Sequence, residues 1–196
     1  MKKGLLVFVL IFTLFFAFSA SALALSSAGA LADALNDLVA DSATANGNTV
    51  TLEDDINLDY DSLIIDGGTI ILDLNGYTLS GDNYDGLIVV EDGRLTIQDS
   101  KNGGTIQNTG YGDTLVVRGG RLTLNSGNIQ SMGDDGIQIE AGSLYVKGGH
   151  IEADDDGVYV SPYESGDISA IEFSGSFRIA GEYHAIYGGD ADLYFH

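Results

Sequence analysis

LVVRGGRLTL (residues 115–124) and IQIEAGSLYV (residues 137–146) decide the fold of this chain. In each, two apolar residues alternate with an outward one, a glycine-bearing corner follows, and a second apolar pair begins seven positions after the first. Leu115 and Val117 lead to Leu122 and Leu124, and Ile137 and Ile139 lead to Leu144 and Val146. The same step carries Ile88 and Val90 to Leu95 and Ile97, and a weaker copy carries Ile186 to Leu193 and Phe195. A third apolar position closes each unit at Ile106, Ile129 and Ile151, and the unit restarts every 21 to 28 residues. Strands this short cannot stand as hairpins, but each can bond to its copy one turn along, ~4.8 Å away. The pattern predicts an all-β chain, a right-handed parallel β-helix with three-strand coils and about five to six turns.

Gly93, Gly120 and Gly142 each stand two residues before the inward Leu95, Leu122 or Leu144, where a positive φ or a close backbone approach suits glycine. The single proline, Pro162, falls in the insertion SPYESGD that separates Val158 and Val160 from Ile171, Phe173 and Ile179. Upstream the register is less even. Leu72 and Leu74 read as a second-strand pair leading to Leu79, with Leu63 and Ile65 as the strand before. Val50, Leu52, Ile56 and Leu58 read as an irregular first turn.

Residues 1–24 carry Lys2 and Lys3, then an uncharged apolar run, then Ala22-Leu23-Ala24, the order of a secretory signal with cleavage expected after Ala24. The alternative is an uncleaved anchor, since the uncharged run approaches the ~20 residues that span a bilayer. Residues 25–45 form a capping segment, with a helix expected over 27–41, Ser26 or Ser27 as N-cap, and Leu31, Leu35, Leu38 and Val39 on one face. Such a helix hides the open first turn of a coil that occupies 46–196. At the other end the chain stops on a strand, so further coils or self-association are expected there.

Without Lys2 and Lys3 the chain keeps six basic residues against 29 acidic ones, a formal charge of −23. That excludes nucleic acid as a partner, because its affinity rests on basic side chains that neutralise phosphates. There is no cysteine, so the apolar stack must supply the stability of a single domain.

GNTVTLEDDINLD (47–59), LDLNGYTLSG (72–81) and the GRLTI and GGTI units resemble the pectin-lyase-like β-helix repeats of secreted and surface proteins of bacteria. The resemblance covers 46–196 and implies the coil. It does not choose an activity, because that superfamily holds lyases, hydrolases, adhesins and cell-wall proteins.

Function must lie in the outward residues. An acidic corner precedes each first strand: Asp85, Asp113, Asp134 with Asp135, Asp154 to Asp156, and Glu182. These can be turn residues bonding nearby backbone, calcium ligands through Asp134, Asp135, Asp155 and Asp156, or catalytic acids. For the last, Gly133-Asp134-Asp135-Gly136-Ile137 resembles the paired-aspartate motif of polygalacturonase-type hydrolases, with Asp113 in the place of the third aspartate. The chain departs from that motif. Asp154-Asp155-Asp156-Gly157 replaces the family's Gly-His-Gly element, and Arg178-Ile179-Ala180 falls on a third strand. A lyase needs a basic residue, and the first-strand face offers only Arg118, flanked by Glu91 and Glu140 and so expected to pair with them. Tyr159 and Tyr187 hold one outward position in consecutive turns, in register with Gln138, Val116 and Val89, and can stack on sugar rings. His150, His184 and His196 do not cluster in this register. The expected function is a secreted, non-catalytic module that binds carbohydrate or cell-envelope glycan, with a polysaccharide hydrolase or lyase as the alternative.

Overall fold

Seven residues separate the inward side chains because the corner between first and second strands keeps one length through four turns, occupying residues 66–68, 91–93, 118–120 and 140–142, before the insertion that follows Val160. The computed structural model describes residues 23–161, 168–188 and 194–195, and within them the chain is a parallel β-solenoid of about five turns with one short helix. Each turn lays three strands into three columns. Leu95, Leu122 and Leu144 stack in the second column and Ile106, Ile129 and Ile151 in the third, none more than 1% exposed.

Corner glycines are required by crowding as well as by backbone angle. Gly93 and Gly120 have φ of +77° and +52°, and a Cβ on Gly120 would lie 2.5 Å from the Gly93 carbonyl oxygen. Only a residue without a side chain lets one turn settle on the next at strand spacing.

In the second turn the structure corrects the expected register. The step of seven from Leu63 and Ile65 lands on Ile70 and Leu72, which pair with Leu95 and Ile97. Leu74 is buried, but at the next corner, where Asn75 reverses the chain with φ +51°. The apolar run from Ile70 to Leu74 offered more than one pairing, and alternation with the neighbouring turn selects between them.

A helix, Ala28–Leu38, covers the first turn. The Ser27 hydroxyl accepts the Ala30 N–H at 3.2 Å, and Ala28, Leu31, Ala32 and Leu35 form the buried stripe. Leu38, expected on that stripe, is 46% exposed, because the helix ends there and Val39 swings to extended backbone and packs on the core instead. The cap has two parts that the sequence reading did not contain. Ala43–Asn46 pairs antiparallel with Thr49–Leu52 through the Gly47-Asn48 turn, and Leu23–Leu25 adds a strand beside residues 63–65, burying Leu25. Both cover edges that would otherwise present unpaired backbone.

The expected signal up to residue 22, Pro162, Leu193 and His196 lie outside the described residues. Among the described residues, no helix is long and apolar enough to cross a membrane.

Candidate functional site

Asp113, Asp135 and Asp156 each stand two residues before an inward first-strand residue (Leu115, Ile137 and Val158), so parallel pairing stacks them at the corner between third and first strands. Asp113 Oδ1 accepts the Asp135 N–H at 3.1 Å, and Asp135 Oδ1 accepts the Asp156 N–H at 3.0 Å. Asp156 Oδ1 then meets His184 Nδ1 at 2.8 Å. His184 therefore joins the acids, which the sequence reading did not foresee; it too stands two residues before an apolar first-strand residue, Ile186. His150 sits on the third column beside Glu152, 4.0 Å away. Asp85 and Glu182 are exposed and outside the column.

Asn108 holds this corner in place. Fully buried, it donates to the carbonyl oxygens of Asn83, Gly112 and Asp113 at 2.9 to 3.0 Å, and its Oδ1 accepts the N–H groups of Asn83 and Gly110. One amide thus touches five backbone groups of two turns, its two N–H hydrogens shared among three carbonyl oxygens, and sets where Asp113 begins.

Burial is what most raises the acids. Asp113 is pushed up to about 8, first by burial and then by the charges of Asp134, Asp135 and Glu140, against the lowering effect of the Asp135 N–H. Asp135 is pushed up to about 7, by burial first and then by Asp134, Asp156 and Asp155, opposed by the Asp156 N–H. Asp134, half-buried beside the column, is raised by burial and by Asp155. Asp73, at another corner, makes the contrast. Burial raises it as well, but bonds from Gln98, Ser100 and Asn75 together outweigh that and leave it below the ordinary carboxylate value.

Two trios bring carboxylate oxygens within 4.8 Å of one another: Asp113, Asp134 and Asp135, and then Asp135, Asp155 and Asp156. A calcium ion takes 6–8 oxygens, so either trio would supply part of a shell that carbonyls or water must complete. For hydrolysis the geometry is less suited. Inverting glycosidases hold their carboxyls ~6.5–9.5 Å apart to admit a water, whereas Asp113 and Asp135 are close, 5% exposed, and tied to backbone N–H groups.

The first-strand face runs beside this column. Val89, Val116, Gln138, Tyr159 and Tyr187 share one outward position, as expected. Val89 and Val116 are nonetheless buried, with Gly86 folded against both: a Cβ on that glycine would lie 2.6 Å from Val116 Cγ2. The accessible part of the face is therefore its later half. There the Tyr159 and Tyr187 rings stack at 5.4 Å and 16°, and His184 lies 5.3 Å from Tyr187. The Gln138 amide, oriented to satisfy its neighbours, donates to Glu140 Oε1 at 3.0 Å and Asp113 Oδ2 at 3.3 Å. Arg118 pairs with Glu91 and Glu140 at 3.4 and 3.5 Å.

Tyr60, Tyr84 and Tyr111 escaped the sequence reading. They are 63–74% exposed at the acidic corner, and the Tyr84 and Tyr111 rings lie 5.8 Å apart. Their signal was the repeated tyrosine inside DYD, NYD and GYG.

Comparison with protein-family models, curated proteins and solved structures finds no match to this chain.

Proposed function

We propose that the chain is an exported binding module of the pectin-lyase-like kind that holds a glycan on the later half of its first-strand face without cleaving it. The observation that carries the reading is the Tyr159–Tyr187 stack, with rings at 5.4 Å on adjacent turns and Tyr187 42% exposed. Parallel rings held rigid by strand pairing offer a flat apolar platform to sugar faces at little entropic cost. Gln138 and His184 border it with polar groups suited to hydroxyls. The natural partner on this reading is a polysaccharide or cell-envelope glycan met outside the cell.

The test is retention on insoluble polysaccharide and cell-envelope preparations, with reducing-end release measured on the same samples. Retention without release is expected, and Tyr159→Ala with Tyr187→Ala should weaken it, each ring contributing on the order of 1 kcal/mol.

One observation favours the alternative of a polysaccharide-cleaving enzyme. Asp113 and Asp135 keep protons near neutral pH, as a general acid must. Release of reducing ends that Asp134→Asn or Asp113→Asn abolishes would establish that alternative and end the binding reading.

A further inference from the structure

The last position of the corner between first and second columns presents only backbone, because Gly68, Gly93 and Gly120 occupy it in successive turns. Beside this bare floor the second strands begin with Thr69, Arg94, Arg121 and Ser143, one above another in register. With Asn48 and Asp92 they line a groove of about 560 Å³.

Arg94 and Arg121 face each other directly across neighbouring strands, an arrangement that costs stability when the charges are alike. The chain has 29 acidic residues, yet among the described residues neither arginine has a carboxylate within ion-pair distance, whereas Arg118 has two. Asp92 is the one acid lining the groove, and its Oδ1 is taken by the Gly93 N–H at 2.7 Å. The Arg121 guanidinium is held in position over the Tyr145 ring, 4.7 Å from its centroid. Two stacked, like-charged guanidiniums, one of them held over an aromatic ring, above an open floor are half of a recognition site.

We propose that this groove binds an extended ligand bearing repeated oxyanions, carboxylates or phosphates, laid along the coil axis. One oxyanion meets Arg94 and the next meets Arg121, each through the planar fork that guanidinium presents to such groups. Thr69, Ser143 and Asn48 supply neutral hydrogen bonds at the ends. The repeat of the ligand must match the ~4.8 Å between turns, which selects a chain over a single ion. The acidity of the whole molecule does not forbid this, because charges farther than ~8 Å are largely screened at physiological salt. The groove lies on a different column from Tyr159 and Tyr187 and stands independently of the glycan reading.

Calorimetric titration of the full chain tests it, with oligomannuronate and tripolyphosphate as anionic probes and maltohexaose as the uncharged comparison. At least one anionic probe is expected to bind and maltohexaose not to bind in the groove. The variant carrying Arg94→Gln and Arg121→Gln should lose at least tenfold in affinity while melting no lower than the parent. Preference between the probes assigns carboxylate or phosphate. The tyrosine double variant, Tyr159→Ala with Tyr187→Ala, should bind the anion as the parent does. Failure of both anions to bind, equal binding by the arginine variant, or loss of anion binding in the tyrosine variant would each overturn the proposal.

Discussion

His184 Nδ1 lies 2.8 Å from Asp156 Oδ1, and the same ring stands 5.3 Å from Tyr187. One imidazole thus joins the buried acid column to the aromatic face. His184→Ala is expected to lower stability by about 1 kcal/mol, since it leaves the nearly buried Asp156 carboxylate short of a partner. The tyrosine near-ultraviolet dichroism should change with it. A variant identical to the parent in both would show that the contact does not order the face.

Asp113 and Asp135 keep their protons up to about 8 and about 7 when folded, but only to ~4 when unfolded. Between those limits the folded chain binds more protons, so these two groups make stability fall as pH rises from ~4 to about 8, each by up to ~1.4 kcal/mol per pH unit. Asp73 has the opposite sign, its stabilisation being lost only as pH falls below the ordinary carboxylate range. The melting temperature is therefore expected to be higher at pH 5 than at pH 8. Asp113→Asn, which keeps an acceptor for the Asp135 N–H, should raise it at pH 8 and leave it nearly unchanged at pH 5. Melting that climbs from pH 5 to pH 8 would contradict the column as described.

Asn108→Ala leaves the N–H groups of Asn83 and Gly110 without an acceptor, while the carbonyl oxygens of Asn83, Gly112 and Asp113 keep bonds from Gly112, Ser131 and Leu87. Each unsatisfied group costs about 1–3 kcal/mol, partly relieved by entering water, so a loss of roughly 2 kcal/mol or more in urea unfolding is expected. A loss under 1 kcal/mol would mean that the corner re-forms its bonds without the amide.

Leu122 is fully buried between Leu95 and Leu144. Leu122→Ala should cost about 2–5 kcal/mol by opening a cavity in the middle of the stack. Leu122→Asp should prevent folding, because an unpaired charge cannot be accommodated there. Dichroism of the purified variants distinguishes the two outcomes.

Calcium and protons should compete for the acid trios. Millimolar calcium is expected to raise the melting temperature at pH 8 more than at pH 5, and Asp134→Asn should reduce the effect. A melt indifferent to calcium at both values assigns the aspartates to the turn and ladder alone.

The coil was legible because its inward positions obey one arithmetic: Leu115 to Leu122 and Ile137 to Leu144 cross a corner of constant length. Where apolar residues ran on, as from Ile70 to Leu74, the chain alone offered two pairings and the neighbouring turn chose. The tyrosine column was equally readable from outward alternation. The ladder was half legible. Counting carboxylates at a corner found Asp113, Asp135 and Asp156, but not that His184 continues them, because its chemistry differs while its position does not. Asn108 was beyond reach, since nothing in its strand distinguishes an asparagine facing solvent from one bonded to five backbone groups. The stacked arginines lay in plain view within GRL repeats, yet their meaning depends on the acids that do not reach them.

The three corners of the solenoid differ in their tolerance of length. Between first and second strands the connection keeps three residues in four turns and takes one insertion, between Val160 and Ile171, across which Ile171 and Phe173 still pair with Leu144 and Val146. Between third and first strands it spans residues 82–87, 109–114, 132–136, 154–157 and 182–185 in successive turns, while Leu63, Ile88, Leu115, Ile137, Val158 and Ile186 stay aligned. The acids and exposed tyrosines are carried on that elastic corner. Residues can be gained or lost there without resetting the core, so descendants of this chain can change what they recognise by lengthening one loop while inheriting the scaffold intact.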